Sequence, residues 1–120
     1  MSRKVYRTAI YCRLSREDGD KIESNSIASQ RAICEDYIAR HDDLEIVCEP
    51  FVDDGYSGVS FNRPNFKKLE EAIRKGAVDC IVVKDLSRFS RNYIDGGRYL
   101  EKIFPQLGIR FIAVNDAYEE

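Results

Sequence analysis

The run Val78-Asp79-Cys80-Ile81-Val82-Val83 is continuously apolar apart from a single charge, Asp79. Such a run suits a strand covered on both faces, because a strand with one wet face alternates apolar and polar residues. Strands of that kind belong to parallel sheets with helices above and below, and the rest of the chain supplies the parts. Val5 to Cys12 reads as a first strand. Ser26-Ile27-Ala28-Ser29-Gln30 opens a helix, capped by Asn25 or Ser26 and continued by Ile33, Cys34, Tyr37 and Ile38 to about Arg40. Leu44 to Val52 is a second strand, broken locally at Pro50. Pro64 starts a helix that carries Phe66, Leu69, Ala72 and Ile73 on one face and ends at Gly76. Asn92 to Phe104 forms a further helix and Ile109 to Val114 a fourth strand. The order β-α-β-α-β-α-β predicts an α/β fold of three layers. Its central sheet is mostly parallel, with about four to five strands and helices on both faces.

At 120 residues the chain is one domain. No closing helix follows the fourth strand, so it is expected to be part of something longer. The N-terminus has no long apolar stretch, which predicts neither a signal peptide nor a membrane span and places the protein in the cytoplasm. The four cysteines, Cys12, Cys34, Cys48 and Cys80, are widely spaced, and with one histidine in the chain no metal site is expected. They read as reduced, mostly buried thiols. The net charge of −2 argues against a surface that is one continuous nucleic-acid footprint. Charge is nonetheless uneven. Arg3, Lys4, Arg7, Arg13 and Arg16 precede the first acid, Glu17, and Lys84, Arg88 and Arg91 form a second basic cluster.

Tyr11-Cys12-Arg13-Leu14-Ser15-Arg16 places a serine hydroxyl among arginines where the first strand ends. A hydrolytic serine usually has a histidine base beside it, and His41 sits in a polar run. A serine among guanidinium groups suits an electrophile that already carries negative charge, which points to phosphate. In open parallel sheets, functional groups collect at the carboxyl ends of the strands. The first strand delivers Arg13 and Ser15. The second delivers Asp53, Asp54 and Ser57, with Arg63 at the following helix start, and the third delivers Lys84, Ser87, Arg88 and Arg91. Guanidinium forks match the nonbridging oxygens of a phosphodiester and stay charged at any working pH. Fixed positive charge beside a developing oxyanion is a large catalytic term.

Singly, each residue has a plainer role. Ser15 could be a solvated turn residue, Arg88 and Arg91 a wet face, and Arg63-Pro64 only a helix entrance. Tyr11 and Tyr56 could be packing residues. Gly55 and Gly58 lack P-loop spacing, and Asp53–Gly58 reads as a mobile loop, as does Leu14–Asn25. Two other functions compete. One is a receiver-like regulatory domain with Asp53 or Asp54 as phosphoacceptor and Lys84 as its charge partner, although its acids sit after the second strand and fit that geometry poorly. The other is a metal-dependent nuclease built on Asp53, Asp54 and Asp85.

Four segments together resemble the catalytic domain of the serine site-specific recombinases, the resolvase/invertase superfamily, and most of all the large serine recombinases of mobile elements. They are Tyr11–Ser15, Ser26–Gln30, Asp53–Gly58 with Arg63-Pro64, and Val83–Arg91, in the family's order and spacing across nearly the whole chain. The resemblance implies a resolvase-like catalytic domain over residues 1–120, without the dimerisation helix and DNA-binding domains. It implies that Ser15 attacks DNA and leaves a 5′-phosphoserine link and a free 3′-hydroxyl. Arg13, Arg88 and Arg91 would contact the scissile phosphate, and Arg63 would complete the cluster. Tyr11, Gln30, Ser57, Ser87 and Lys84 would shape or support the pocket. No metal, nucleotide or other cofactor is implied. The implied partners are double-stranded DNA and further copies of the chain, a homodimer at each site and a tetramer in synapsis. Residues 1–120 alone are then expected to be a monomer or weak oligomer that folds, binds DNA weakly and does not recombine it. One departure stands out: many relatives carry aspartate where this chain has Ser87, so a carboxylate role there would fall to Asp85 or Asp54.

Overall fold

The structure, a computed structural model, describes residues 4–14, 26–116 and 118–119. Ser15, Arg16 and the rest of the expected loop to Asn25 lie outside the described residues. Strand β1 (Tyr6–Leu14) is central. On one side it pairs in parallel with β2 (Leu44–Ile46) and then β3 (Phe51–Asp54), and on the other with β4 (Cys80–Val83). Beyond β4 lie β5 (Arg110–Ala113), again parallel, and the short antiparallel β6 (Tyr118–Glu119). The helices are α1 (Ile27–Ala39), α2 (Pro64–Arg74), the one-turn α3 (Leu86–Phe89), α4 (Tyr93–Arg98) and α5 (Phe104–Leu107). A π-helical segment, Tyr99–Ile103, joins the last two.

Alternation along the strands makes the three layers. Ala9 and Tyr11 of β1, Ile81 and Val83 of β4, and Phe111 and Ala113 of β5 face one side. There they meet Phe66, Leu69 and Ile73 of α2, Phe89 of α3 and Phe104 of α5. Ile10, Cys12, Cys80, Val82 and Ile112 face the other and meet Cys34 and Ile38 of α1. Each Val, Leu, Ile or Phe side chain fully buried this way contributes about 1.5–3 kcal/mol. Phe89 is the hub of the first layer. Its ring lies 4.9 Å from Phe111, 5.3 Å from Phe61 and 5.7 Å from Phe104, in tilted and edge-on contacts. Burying Phe89 fixes the one-turn helix that also carries Arg88.

Asp79, the lone charge in the apolar run, stands just before β4 and accepts the backbone N–H of Arg7 at 2.6 Å. Its second oxygen pairs with the Arg7 guanidinium at 3.2 Å, so the charge clips β4 to the start of β1. All four cysteines are free thiols, three of them buried. Among the described residues, no helix is long and apolar enough to cross a membrane.

Candidate active site

β1 runs two residues past the expected end at Cys12, so Arg13 belongs to the strand and its side chain falls on the face of Ala9 and Tyr11. Gln30, in the first turn of α1, holds the backbone of Arg13 from the opposite layer. Its Oε1 accepts the Arg13 N–H at 3.1 Å and its Nε2 donates to the Arg13 carbonyl at 2.9 Å. The Arg13 guanidinium is fully buried and donates to three backbone carbonyls: Tyr56 at 2.9 Å, Ser87 at 2.6 Å and Arg88 at 3.2 Å.

Arg63, directly before α2, is equally buried. Its guanidinium donates to the carbonyls of Ser60 (2.8 Å), Phe89 (2.6 Å) and Gly58 (3.3 Å) and packs 4.6 Å from the Phe61 ring centroid. Arg88 Nη1 donates to the Arg13 carbonyl at 3.0 Å, which links β1 to α3. Arg91 is more exposed, and its backbone N–H donates to the Gly58 carbonyl at 2.7 Å. The four arginines expected to converge therefore do so, from three strand ends, with Gly58 at the junction. A Cβ added to Gly58 would lie 2.7 Å from Arg13 Nη2 and 2.9 Å from Arg91 Cγ, so the backbone comes this close only because the residue is glycine.

Asp53 and Tyr11 support the unit from beneath. Asp53 is buried at the end of β3 and caps α2, accepting the N–H of Asn65 at 3.0 Å and of Phe66 at 2.9 Å. The Tyr11 hydroxyl donates to the same carboxylate at 2.8 Å and lies 3.5 Å from Arg63 Nη1. Burial pushes the Tyr11 hydroxyl well above the usual phenol range; Arg63 opposes that shift and Asp53 adds to it. Tyr11 therefore stays a neutral donor. With both oxygens of Asp53 engaged, neither a phosphoacceptor nor a metal-ligand role suits that residue. Among the described residues, no group of three histidine, cysteine or acidic side chains gathers as for a metal.

Asp85 caps α3 by accepting the Arg88 N–H at 3.1 Å, and the Leu86 N–H donates to Asp116 at 2.6 Å. Asp85, Ser87, Ser90, Arg91, Asn115 and Asp116 line an open cleft of about 560 Å³ beside the buried arginines. Ser57 serves its own loop, its Oγ accepting the Val59 N–H at 3.0 Å. Lys84 is buried directly after β4. The sequence reading missed two features. Gly58 signals mobility by composition, yet its loop is bonded at the Gly55, Tyr56 and Gly58 backbone to Leu14, Arg13, Arg63 and Arg91. Asp53, offered by the sequence as a phosphoacceptor or metal ligand, is instead internal, placed there by the pairing of β3 with β1.

The architecture is a mostly parallel sheet that carries four arginines at its carboxyl edge. Residues 8–120 match the family model described as the N-terminal domain of resolvase, so the chain belongs to the resolvase family. No curated protein sequence matches it. Its structure is similar to the N-terminal catalytic domain of TP901-1 integrase, with TM-score 0.81 and 26% identity over 94% of this chain and 80% of that one. It is also similar to a resolvase family site-specific recombinase from Streptococcus pneumoniae, with TM-score 0.74 and 29% identity over 96% and 76% of the two chains. A third likeness, at 22% identity and TM-score 0.71 over 90% and 67%, is to the C-terminal catalytic domain of ISC1926 TnpA, an IS607-like serine recombinase; it supports the fold.

Proposed function

We propose that this domain performs the DNA cleavage and rejoining of a site-specific serine recombinase. The observation that carries the reading is the convergence of Arg13, Arg63, Arg88 and Arg91 in one bonded unit at the end of β1, whose last residue, Leu14, directly precedes Ser15 in the chain. Ser15 is the nucleophile in this reading. Its oxygen forms a bond to the scissile phosphorus as the bond from phosphorus to the 3′-oxygen breaks. The serine gives up its proton and the departing 3′-oxygen gains one. One phosphodiester replaces another, so rejoining needs no energy source.

The arginines divide their labour. Arg91 borders the cleft and is the direct phosphate ligand, whereas Arg88 is buried, held by the Arg13 carbonyl and the Ser87 hydroxyl, and acts through its charge. Arg13 and Arg63 spend their N–H groups on backbone carbonyls and act on the phosphate through their fixed charge, at short range and out of water, where charge acts most strongly. Double-stranded DNA is the substrate, and dimers and tetramers of the intact protein perform strand exchange. Incubating the intact protein with DNA that carries its site, in chelator, gives a covalent protein–DNA adduct that Ser15→Ala abolishes. An adduct that persists in Ser15→Ala would sink the reading.

A further inference from the structure

The carboxylate of Asp85 reaches the arginine cluster through a hydroxyl. Ser87 has a single O–H proton, and its oxygen lies 2.5 Å from Asp85 Oδ1, so that proton is committed to the carboxylate. The Ser87 oxygen can then only accept from Arg88, whose Nε and Nη2 stand 3.4 and 3.3 Å away. Asp85 itself remains 3.7 Å from Arg88 Nε, beyond hydrogen-bond range, while its Oδ1 also takes the Arg88 backbone N–H. Arg88 is thus gripped on one edge by the Arg13 carbonyl and on the other by a hydroxyl that a carboxylate holds in one orientation.

We infer that Asp85 and Ser87 form a positioning pair, in which the Asp85 carboxylate, acting through the Ser87 hydroxyl, orients the Arg88 guanidinium. An ionised acceptor makes the hydroxyl bond stronger than a neutral one does and aligns the hydroxyl dipole with its negative end toward the cation. Removing the Ser87 hydroxyl leaves the buried guanidinium with one fewer acceptor on that edge, and removing the Asp85 charge frees the hydroxyl proton to turn toward the cation. The consequence for DNA cleavage rests on the function proposed above; the pairing itself does not.

Two measurements test it. In the 120-residue chain, the Arg88 Nε–H proton, followed by nitrogen-15 NMR, exchanges slowly with water, and Ser87→Ala or Asp85→Asn speeds its exchange. Asparagine keeps the helix cap, so folding is preserved in the second variant. In the intact protein, each variant lowers the single-turnover rate of adduct formation by about 10- to 100-fold with little change in DNA affinity, as expected for a misplaced charge donor. The double variant Asp85→Asn/Ser87→Ala is no slower than the worse single one, because both cut the same chain of contacts. Moving the carboxylate, in Asp85→Asn/Ser87→Asp, restores most of the rate. Unchanged Nε–H exchange in both single variants, or rate losses that multiply in the double one, overturns the pairing. If the unmutated protein forms no adduct, the recombinase reading fails and the exchange measurement alone decides the pairing.

Discussion

A buried guanidinium is tolerated only where its N–H groups meet acceptors, and Arg13 and Arg63 meet theirs in the carbonyls of segments 56–60 and 87–89. Gly58 lies where these bonds cross. Because three carbonyls hold the Arg13 guanidinium, it cannot swing aside for a methyl group. Gly58→Ala is expected to destabilise the domain by about 1–3 kcal/mol, the usual cost of overpacking, and to slow adduct formation. Urea unfolding checks the first, and an unshifted midpoint would show that the guanidinium yields. Asp53 offers a second test, since three donors converge on it. Asp53→Asn turns an amide N–H₂ toward donors and should cost about 1–3 kcal/mol, whereas Tyr11→Phe removes one bond of three and should cost about 1 kcal/mol. The reverse order would refute the capping role. The sequence brings four arginines to one sheet edge because strand ends are readable from apolar runs. How those arginines share the work is not readable: a side chain bonded to distant backbone carbonyls leaves no mark in the chain, and Gly58 announces flexibility where it provides close approach.

At the scale of elements, long apolar periodicities were legible and short pieces were not. β4, α1, α2 and β5 fall where the sequence predicts them, within a few residues at their ends. The second strand is two. β1 advances from Thr8 to Tyr11 while its neighbour advances from Ile46 to Phe51, so the extra residues around Pro50 loop out and pairing resumes in a new register. Helix α3 is too short for any periodicity to register, and its position depends on Phe89 finding a pocket of distant aromatic rings. The helix expected to end at Phe104 continues to Leu107, and it widens over Tyr99–Ile103, where the Phe104 N–H bonds the Tyr99 carbonyl. Such a π turn makes room for the ring of Pro105, which would strike the carbonyl four residues back in a regular helix. Gly108, with φ of 70°, then closes the helix in the left-handed region. α1 carries a prediction of its own. Ser26 Oγ accepts the Ser29 N–H at 3.0 Å, so Ser26→Ala should cost about 1 kcal/mol. Gln30→Leu should cost more, because it also strips the clamp from the Arg13 backbone. Equal losses in thermal unfolding would mean that the clamp adds nothing.

For the molecule as a whole, the sheet and α1 seal ionisable thiols between them, which ties stability to alkaline pH. Burial pushes the Cys12 thiol up to about 12, with Arg31 opposing and Glu35 adding, and pushes Cys34 further in the same direction. In the unfolded chain such thiols ionise near pH 8.5–9. Between that value and the folded one, the unfolded state has released its proton and the native state has not, so stability falls as pH rises. Below the unfolded value both states are protonated and the contribution is complete. Each such group therefore steepens the fall above pH ~9 by about 1.4 kcal/mol per pH unit. Cys12→Ala removes one of these groups; the cavity it leaves lowers stability by an amount that does not depend on pH. Urea unfolding of the variant and the parent should give parallel curves at pH 6–8 that converge above about pH 9.5. Thiol labelling tests the same sealing at neutral pH. Half-buried Cys48 reacts first, while Cys12, Cys34 and Cys80 react only as fast as the domain opens. Curves that stay parallel up to pH 11, or four thiols that label together in the native protein, would show that α1 does not close over its face of the sheet.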